Sequence, residues 1–201
     1  MSHDGSRDGL PELGFPGPTE LAGWLAEHHA TAAGIWLRCG KKGCPEPSVS
    51  HAQALDVALC WGWIDGQKAP GPAGMDHHYL QRFTPRRAGS RWSKVNVDKV
   101  AALTAAGRMQ PPGLAQVEAA QADGRWAAAY AGARTAELPP DLAAALDAVP
   151  GARAAYDALT GSNRYAVLYR IGAVKRPATR ARKVVETADK LAAGWTPHPL
   201  I

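Results

Sequence analysis

Donors suited to an anion crowd one stretch of this sequence. Between Leu59 and Asn96 lie Trp61, Trp63 and Trp92, Cys60, the run Asp65-Gly66-Gln67, and the arginines Arg82, Arg86, Arg87 and Arg91. Side chains alternate across a strand, so Trp63, Asp65 and Gln67 share one face. On a returning strand, either His78, Leu80, Arg82 and Thr84 share that face, or His77, Tyr79, Gln81 and Phe83 do. A loop centred near Pro72 sets Asp65 diagonal to Arg82. A carboxylate so placed fixes the guanidinium in direction. Arg82, Arg86 and Arg87 are then ligands for something negative; the alternative is a structural ion pair at a strand end. The following segment, Thr84 to Ser93, feeds a helix start. Backbone N–H groups there, with the Ser90 and Ser93 hydroxyls, Asn96 and nearby arginines, form an anion-friendly pocket walled by Trp63 and Trp92. It lacks the GxxxxGK[ST] pattern of a P-loop.

Other reactive residues carry weaker patterns. Cys60 precedes Trp61-Gly62 at a helix C-terminus, the wrong end for activating a thiol, so buried structural cysteine is favoured over nucleophile. Cys39 and Cys44 flank Gly-Lys-Lys-Gly, but a zinc site needs four ligands in paired spacings. His77 and His78 are adjacent on a strand and point oppositely, so one metal would rarely take both. No cofactor or metal is expected, and no Ser-His-Asp or HExxH arrangement is present. A second basic region holds Arg164, Arg170, Lys175, Arg176, Arg180, Arg182 and Lys183, with no acidic residue between Asp157 and Glu186. It reads as a phosphate-binding stripe for nucleic acid, or as a solvated basic face. A surface for anionic lipid or an acidic protein is the third possibility. Tyr165 and Tyr169 are read as core-facing, so no aromatic residues remain to stack bases.

These residues need elements to hold them. The chain has 201 residues, a net charge of +5 and a pI near 9.3. That charge is compatible with anionic partners without requiring them. Much of the 46% hydrophobic content is alanine, which favours close-packed helices. Residues 1–18 read as a flexible N-terminus. Thr19 caps a helix over 19–30, and 34–39 is a strand. Ser50 and Gln53 form a capping box for a helix over 51–60. Strands follow at 63–68 and 78–83, joined by a Pro/Gly loop. Ser93 caps 94–106, and Pro111-Pro112 opens a helix that ends at Gly124. This predicts an α+β domain over 19–124 with a small antiparallel sheet of about three strands. Residues 125–140 form a linker. A helical segment spans 141–194, with helices at 152–159, 163–174 (capped by Gly161-Ser162) and 177–193. Residues 195–201 form an irregular tail. No apolar run is long enough to span a membrane and no signal peptide is evident, so a cytoplasmic protein is expected.

The run Ala58-Leu59-Cys60-Trp61-Gly62-Trp63-Ile64-Asp65-Gly66-Gln67 is followed by Arg82-Phe83-Thr84-Pro85-Arg86-Arg87 and Trp92-Ser93-Lys94-Val95-Asn96. Gly107-Arg108-Met109 and Gly113-Leu114 come next, then Ser162-Asn163-Arg164-Tyr165 and Lys175-Arg176-Pro177-Ala178-Thr179-Arg180-Ala181-Arg182. Together they resemble the bacterial YdeI/OmpD-associated family, also called bacteriocin-protection proteins, over about Leu21 to Gly194. The resemblance implies a role in survival under bacteriocins or cationic antimicrobial peptides, with no established reaction and no catalytic residue set to carry over. Three functions follow as expectations: binding of an anionic small molecule, interaction with partners in envelope stress, and non-specific nucleic-acid binding.

Overall fold

The computed structural model describes residues 6–198. The chain divides into two compact units, 1–129 and 130–201. The fold class is α+β, and the elements of the second unit are all helices.

In the first unit the order is β1 (Ser6–Arg7), β2 (Leu10–Gly14), α1 (Pro18–His28), β3 (Ile35–Gly40), α2 (His51–Cys60), β4 (Trp63–Pro70), β5 (His78–Pro85), α3 (Lys94–Ala105) and α4 (Pro111–Ala122). The five strands form one sheet in the order β1-β2-β3-β5-β4. All pairings are antiparallel except β2 with β3, which is parallel. The sheet is therefore larger and more mixed than the three antiparallel strands expected. The stretch read as flexible holds two of those strands from Ser6 on; residues 1–5 lie outside the described residues. β2 reads Leu-Pro-Glu-Leu-Gly, which carries little strand signal alone. It is a strand because Glu12, Leu13 and Gly14 pair with Trp36, Leu37 and Arg38 more than 20 residues away. Leu13 also joins the core.

α2 organises this unit. Ser50 caps it: Gln53 N–H donates to the Ser50 hydroxyl and the Gln53 side chain accepts from Ser50 N–H, the reciprocal box expected. One face of α2 (Ala54, Val57, Ala58) joins Leu25, Leu37, Trp63 and Phe83 in the core beneath the sheet. Its other face (Leu55, Leu59, Cys60) packs with Trp92, Val100, Leu103 and Val117 of the following helices. Its polar residues keep to what is left: Gln53 is exposed, and His51 and Asp56 are half-buried. α1 starts at Pro18 with Gly17 in the cap position, so Thr19 is not its N-cap. Ser93 does cap α3, accepting from Asn96 N–H at 3.1 Å.

The second unit contains α5 (Pro140–Ala148), α6 (Ala152–Asp157), α7 (Gly161–Gly172) and α8 (Pro177–Ala192). Leu142, Leu146, Tyr156, Val167, Ile171, Val184, Ala188 and Leu191 form its core. The cap of α7 is Thr160, one residue before the expected Gly161-Ser162: its hydroxyl accepts from Asn163 N–H.

Candidate functional site

The hairpin of β4 and β5 carries several of the residues expected to line a pocket, and a bulge decides where its side chains go. Asp65 pairs with Phe83 and Lys68 with Gln81, so Gly66 and Gln67 both stand opposite Arg82. An extra residue on one strand interrupts the ladder and reorients side chains beyond it. The bulge is tied down by Gln81, a buried amide that donates to the carbonyls of Gly66 at 2.8 Å and Gln67 at 3.2 Å. Because Asp65 is paired directly with Phe83, it emerges on the Phe83 face, beneath the sheet. Arg82 is one residue along and therefore on the other face.

Asp65 consequently does not hold Arg82. It accepts from His51 Nε2 at 3.0 Å, and the His51 ring lies 6.3 Å from that of Phe83. Arg82 donates instead to the Gln67 side-chain oxygen at 3.4 Å. The expected Asp65–Arg82 pair is thus corrected by strand alternation.

The remaining residues of the stretch are mostly built into the fold. Trp63 is buried in the core, donating its indole N–H to the His29 carbonyl at 3.1 Å. Trp92 is buried as well and meets Trp126 edge-on at 4.8 Å. Neither tryptophan is a pocket wall. Arg86 is 6% exposed, stacks on Trp92 and donates to the Arg91 carbonyl at 3.4 Å. Ser90 accepts from Arg87 N–H at 3.1 Å, closing a tight turn, while its carbonyl accepts from Arg125 at 2.9 Å. The Ser93 hydroxyl is spent on the α3 cap, where it accepts from the backbone N–H of Asn96. Thr84 is half-buried beside Gly34, and the Arg87 side chain is exposed. Burial pushes the Cys60 thiol up, as expected of a structural cysteine.

The C-terminal basic residues are largely committed too. Arg180 makes a paired contact to the Asp141 carboxylate at 2.6 and 3.0 Å and donates to the Ile171 carbonyl. The Arg180 hydrogen bonds hold Asp141 below the usual carboxylate range. Arg164 donates to the carbonyls of Asp157 and Leu159. Arg170 lies over the Trp195 ring. Lys183 and Lys190 grip Glu186 at 2.9 and 2.8 Å, with Arg182 at 4.0 Å. Hydrogen bonds from Lys190 and Lys183 pull Glu186 down to about 2. Lys175 and Arg176 are exposed. The stripe is thus laced with ion pairs to Asp141, which precedes it in sequence, and to Glu186, which follows it.

A roomy cleft lies in the second unit, lined by residues that were not among the expected ligands. It measures about 630 Å³ and is lined by Ala133, Arg134, Gly161, Ser162, Tyr165, Ala166, Tyr169 and His198. α7 positions it. The buried stripe of that helix is Asn163, Val167 and Ile171, each about a turn apart. Tyr165 and Tyr169 are also a turn apart but lie about half a turn round from that stripe, on the opposite face, so they line a cleft; Tyr169 is 40% exposed. The two rings lie 6.2 Å apart, and Tyr130 meets Tyr169 edge-on at 5.0 Å. The Tyr165 hydroxyl donates to the Ala131 carbonyl at 3.2 Å. Asn163, nearly buried, clamps the chain at His198: it donates to the His198 carbonyl and accepts from its N–H. The mouth therefore gathers an aromatic wall, the first turn of a helix, a serine hydroxyl, an exposed arginine and an imidazole. Helix starts favour negative charge. The sequence signal was the Tyr-x-x-x-Tyr spacing behind Gly161-Ser162, offset by two residues from the apolar stripe.

A second cleft, of about 220 Å³, opens in the first unit between Gly14–Pro16, Arg38, Glu46–Ser48, Met75 and His78. Nε2 of His78, which lines it, lies 3.5 Å from the Cys44 thiol.

Two families match the chain. Residues 13–116 match Domain of unknown function (DUF8412). Residues 135–194 match the family described as Bacteriocin-protection, YdeI or OmpD-Associated. The resemblance drawn from the sequence holds, and it is carried by the helical unit; the tryptophan- and arginine-rich run lies within the other match. No curated protein and no solved structure matches the chain.

Proposed function

We propose that this chain, which belongs to the family Domain of unknown function (DUF8412) and continues into a bacteriocin-protection segment, binds a small anionic molecule with an aromatic or apolar body. The cleft of the second unit is its site. One observation carries the reading: Tyr165 and Tyr169 wall a cleft of about 630 Å³ at whose rim stand Arg134 and the α7 N-terminus. Apolar walls with a few convergent polar groups are the usual composition of a ligand site, and its volume lies in the usual range. The acid group of the ligand meets Arg134, Ser162 and the leading N–H groups of α7; its body lies on the tyrosines. Most of the lining falls inside residues 135–194, so the binding is read as the part of the chain that serves protection against bacteriocins. Arg82, Arg86, Arg87 and the 90–96 turn act in this reading as the frame of the first unit.

The test is thermal unfolding of the whole chain with phenyl phosphate, benzoate and, as the neutral control, benzyl alcohol. The acids raise the melting temperature and the alcohol does not. Arg134→Ala abolishes the shift, and Ala166→Trp, which fills the cleft, does the same. A shift that survives both substitutions moves the site elsewhere; no shift with any acid removes the reading.

A further inference from the structure

Cys44 and His78 come together from residues 34 apart in sequence, and the fold is built to hold them there. Gly40 ends β3 directly opposite His78. Its N–H donates to the Ser48 hydroxyl at 2.9 Å, folding the 40–48 loop back over the strand end. A side chain at Gly40 would press on Cys44 Cβ and Ser48 Cβ, each 3.1 Å away, so only glycine lets the thiol sit so close. Lys41 stitches the same loop to the β5 entry, its N–H donating to the His77 carbonyl and its ammonium to that of Asp76, both at 2.8 Å. Cys44 N–H closes the turn onto the Lys41 carbonyl at 3.0 Å. The thiol therefore has a fixed position, with Sγ 3.5 Å from His78 Nε2.

The other two cysteines are chemically different. Cys39 is fully buried, and burial pushes its thiol up to about 11. Cys60 is buried in the α2–α3–α4 core. Cys44 is partly exposed. Its imidazole partner and Ser48 both line the 220 Å³ cleft, whose wall also holds Arg38, Glu46 and Met75. A thiol becomes a nucleophile when a positioned base takes its proton, and an imidazole within hydrogen-bond reach is such a base.

We propose that Cys44 is a reversible S-thiolation site, activated by His78, that reacts with low-molecular-weight disulfides entering the cleft. His78 Nε2 takes the proton from Cys44 Sγ. The thiolate attacks one sulfur of the disulfide; a new bond forms between Sγ and that sulfur, and the original S–S bond breaks. The departing thiolate carries away the electron pair and takes the proton back from the imidazolium. Cys44 is oxidised to a mixed disulfide, and one half of the small disulfide is reduced to a thiol. Cys39 is sealed in the core, so the adduct is not resolved internally. It persists until an external thiol attacks it.

The experiment uses the full chain with glutathione disulfide and with cystamine, followed by intact mass and peptide mapping. Cys44 is modified first, and Cys39 and Cys60 remain free in the folded protein. His78→Gln slows the reaction about tenfold; a larger factor is not expected, because an ordinary thiol is already a few per cent thiolate near neutrality. A second measurement does not depend on the variant folding: Cys44 in the native chain reacts faster than Cys44 in the same chain unfolded in urea. Equal or slower native reaction overturns the proposal, as does prior modification of Cys60 or Cys39. An unchanged rate in a folded His78→Gln protein would overturn the role of the base. Faster reaction with glutathione disulfide identifies a carboxylate-bearing thiol as the class accepted, and faster reaction with cystamine an amine-bearing one.

Discussion

The Arg86 guanidinium lies 3.6 Å from the ring centre of Trp92, inside the protein. Trp92 in turn meets Trp126 at 4.8 Å. A flat cation on an indole face gains attraction that grows when water is excluded. The long aliphatic stem also covers apolar surface. This stack closes the α2–α3–α4 core where the chain leaves β5.

Replacing Arg86 is therefore expected to cost stability. Arg86→Ala lowers the unfolding free energy by about 2 kcal/mol, combining a lost cation–π contact with lost packing. Arg86→Lys recovers only part of it, since an ammonium cannot stack as a plane. Urea unfolding of the whole chain, followed by tryptophan fluorescence, measures both. A cost for Arg86→Ala no larger than for the exposed Arg87→Ala would contradict the arrangement.

Gly113 is the tightest point between α2 and α4. A Cβ there would collide with the Cys60 carbonyl oxygen, a backbone atom that cannot swing aside, and with the Leu59 carbonyl oxygen at 2.9 Å. The same Cys60 carbonyl accepts from Gln110 N–H. Gly113→Ala is expected to destabilise by about 3 kcal/mol, at the upper end of overpacking costs. Gly107→Ala, where nothing lies within 4 Å but φ is +65°, makes a useful contrast: its cost is backbone strain without a clash. Retained stability in Gly113→Ala would mean the helices can part.

Double-mutant cycles distinguish the partners of Asp65. Coupling between Asp65 and His51 is expected at about 0.5 kcal/mol, the value for a half-exposed pair. Coupling between Asp65 and Arg82, on opposite faces of the sheet, is expected within error of zero. The reverse result would place both side chains on one face and remove the bulge.

Acid should loosen the second unit. Asp141 and Glu186 have depressed carboxyl values in the fold, through Arg180 and through Lys190 with Lys183. A depressed carboxylate stabilises the fold above its unfolded value, and that contribution is lost as pH falls through the folded one. For Glu186 the window runs from about 4.5 down to about 2. Amide exchange in α8 should speed up across that range, less so in Glu186→Gln. Asp141 is exposed and Glu186 is partly so, and added salt should flatten the effect. A pH profile identical in Glu186→Gln would sink this account.

Local chemistry made much of the fold legible from residues alone. Ser50 with Gln53, Ser93, and Pro177 at the start of α8 mark helix starts through backbone groups within four residues. The Pro/Gly loop 70–74 separates two strands by the same logic. Thr160 escaped because Gly161-Ser162 competes for the same role, and a hydroxyl one residue earlier reaches Asn163 better. β2 escaped because its partner lies across α1, and nothing within Leu10–Gly14 announces a strand.

The sequence by itself determined the α+β class, the caps of α2 and α3, the family resemblance and the placement of the arginines beside tryptophans. Tertiary structure alone decided what those side chains face. One extra residue opposite Arg82 ends the Asp65 register at Phe83, and with a side-chain period of two that separates the carboxylate from the guanidinium. The same non-local register brings His78 to Cys44. An offset of two residues, about half a turn of α7, puts Tyr165 and Tyr169 in the cleft rather than in the core. Caps and turns depend on neighbours along the chain, whereas faces depend on partners that only folding supplies.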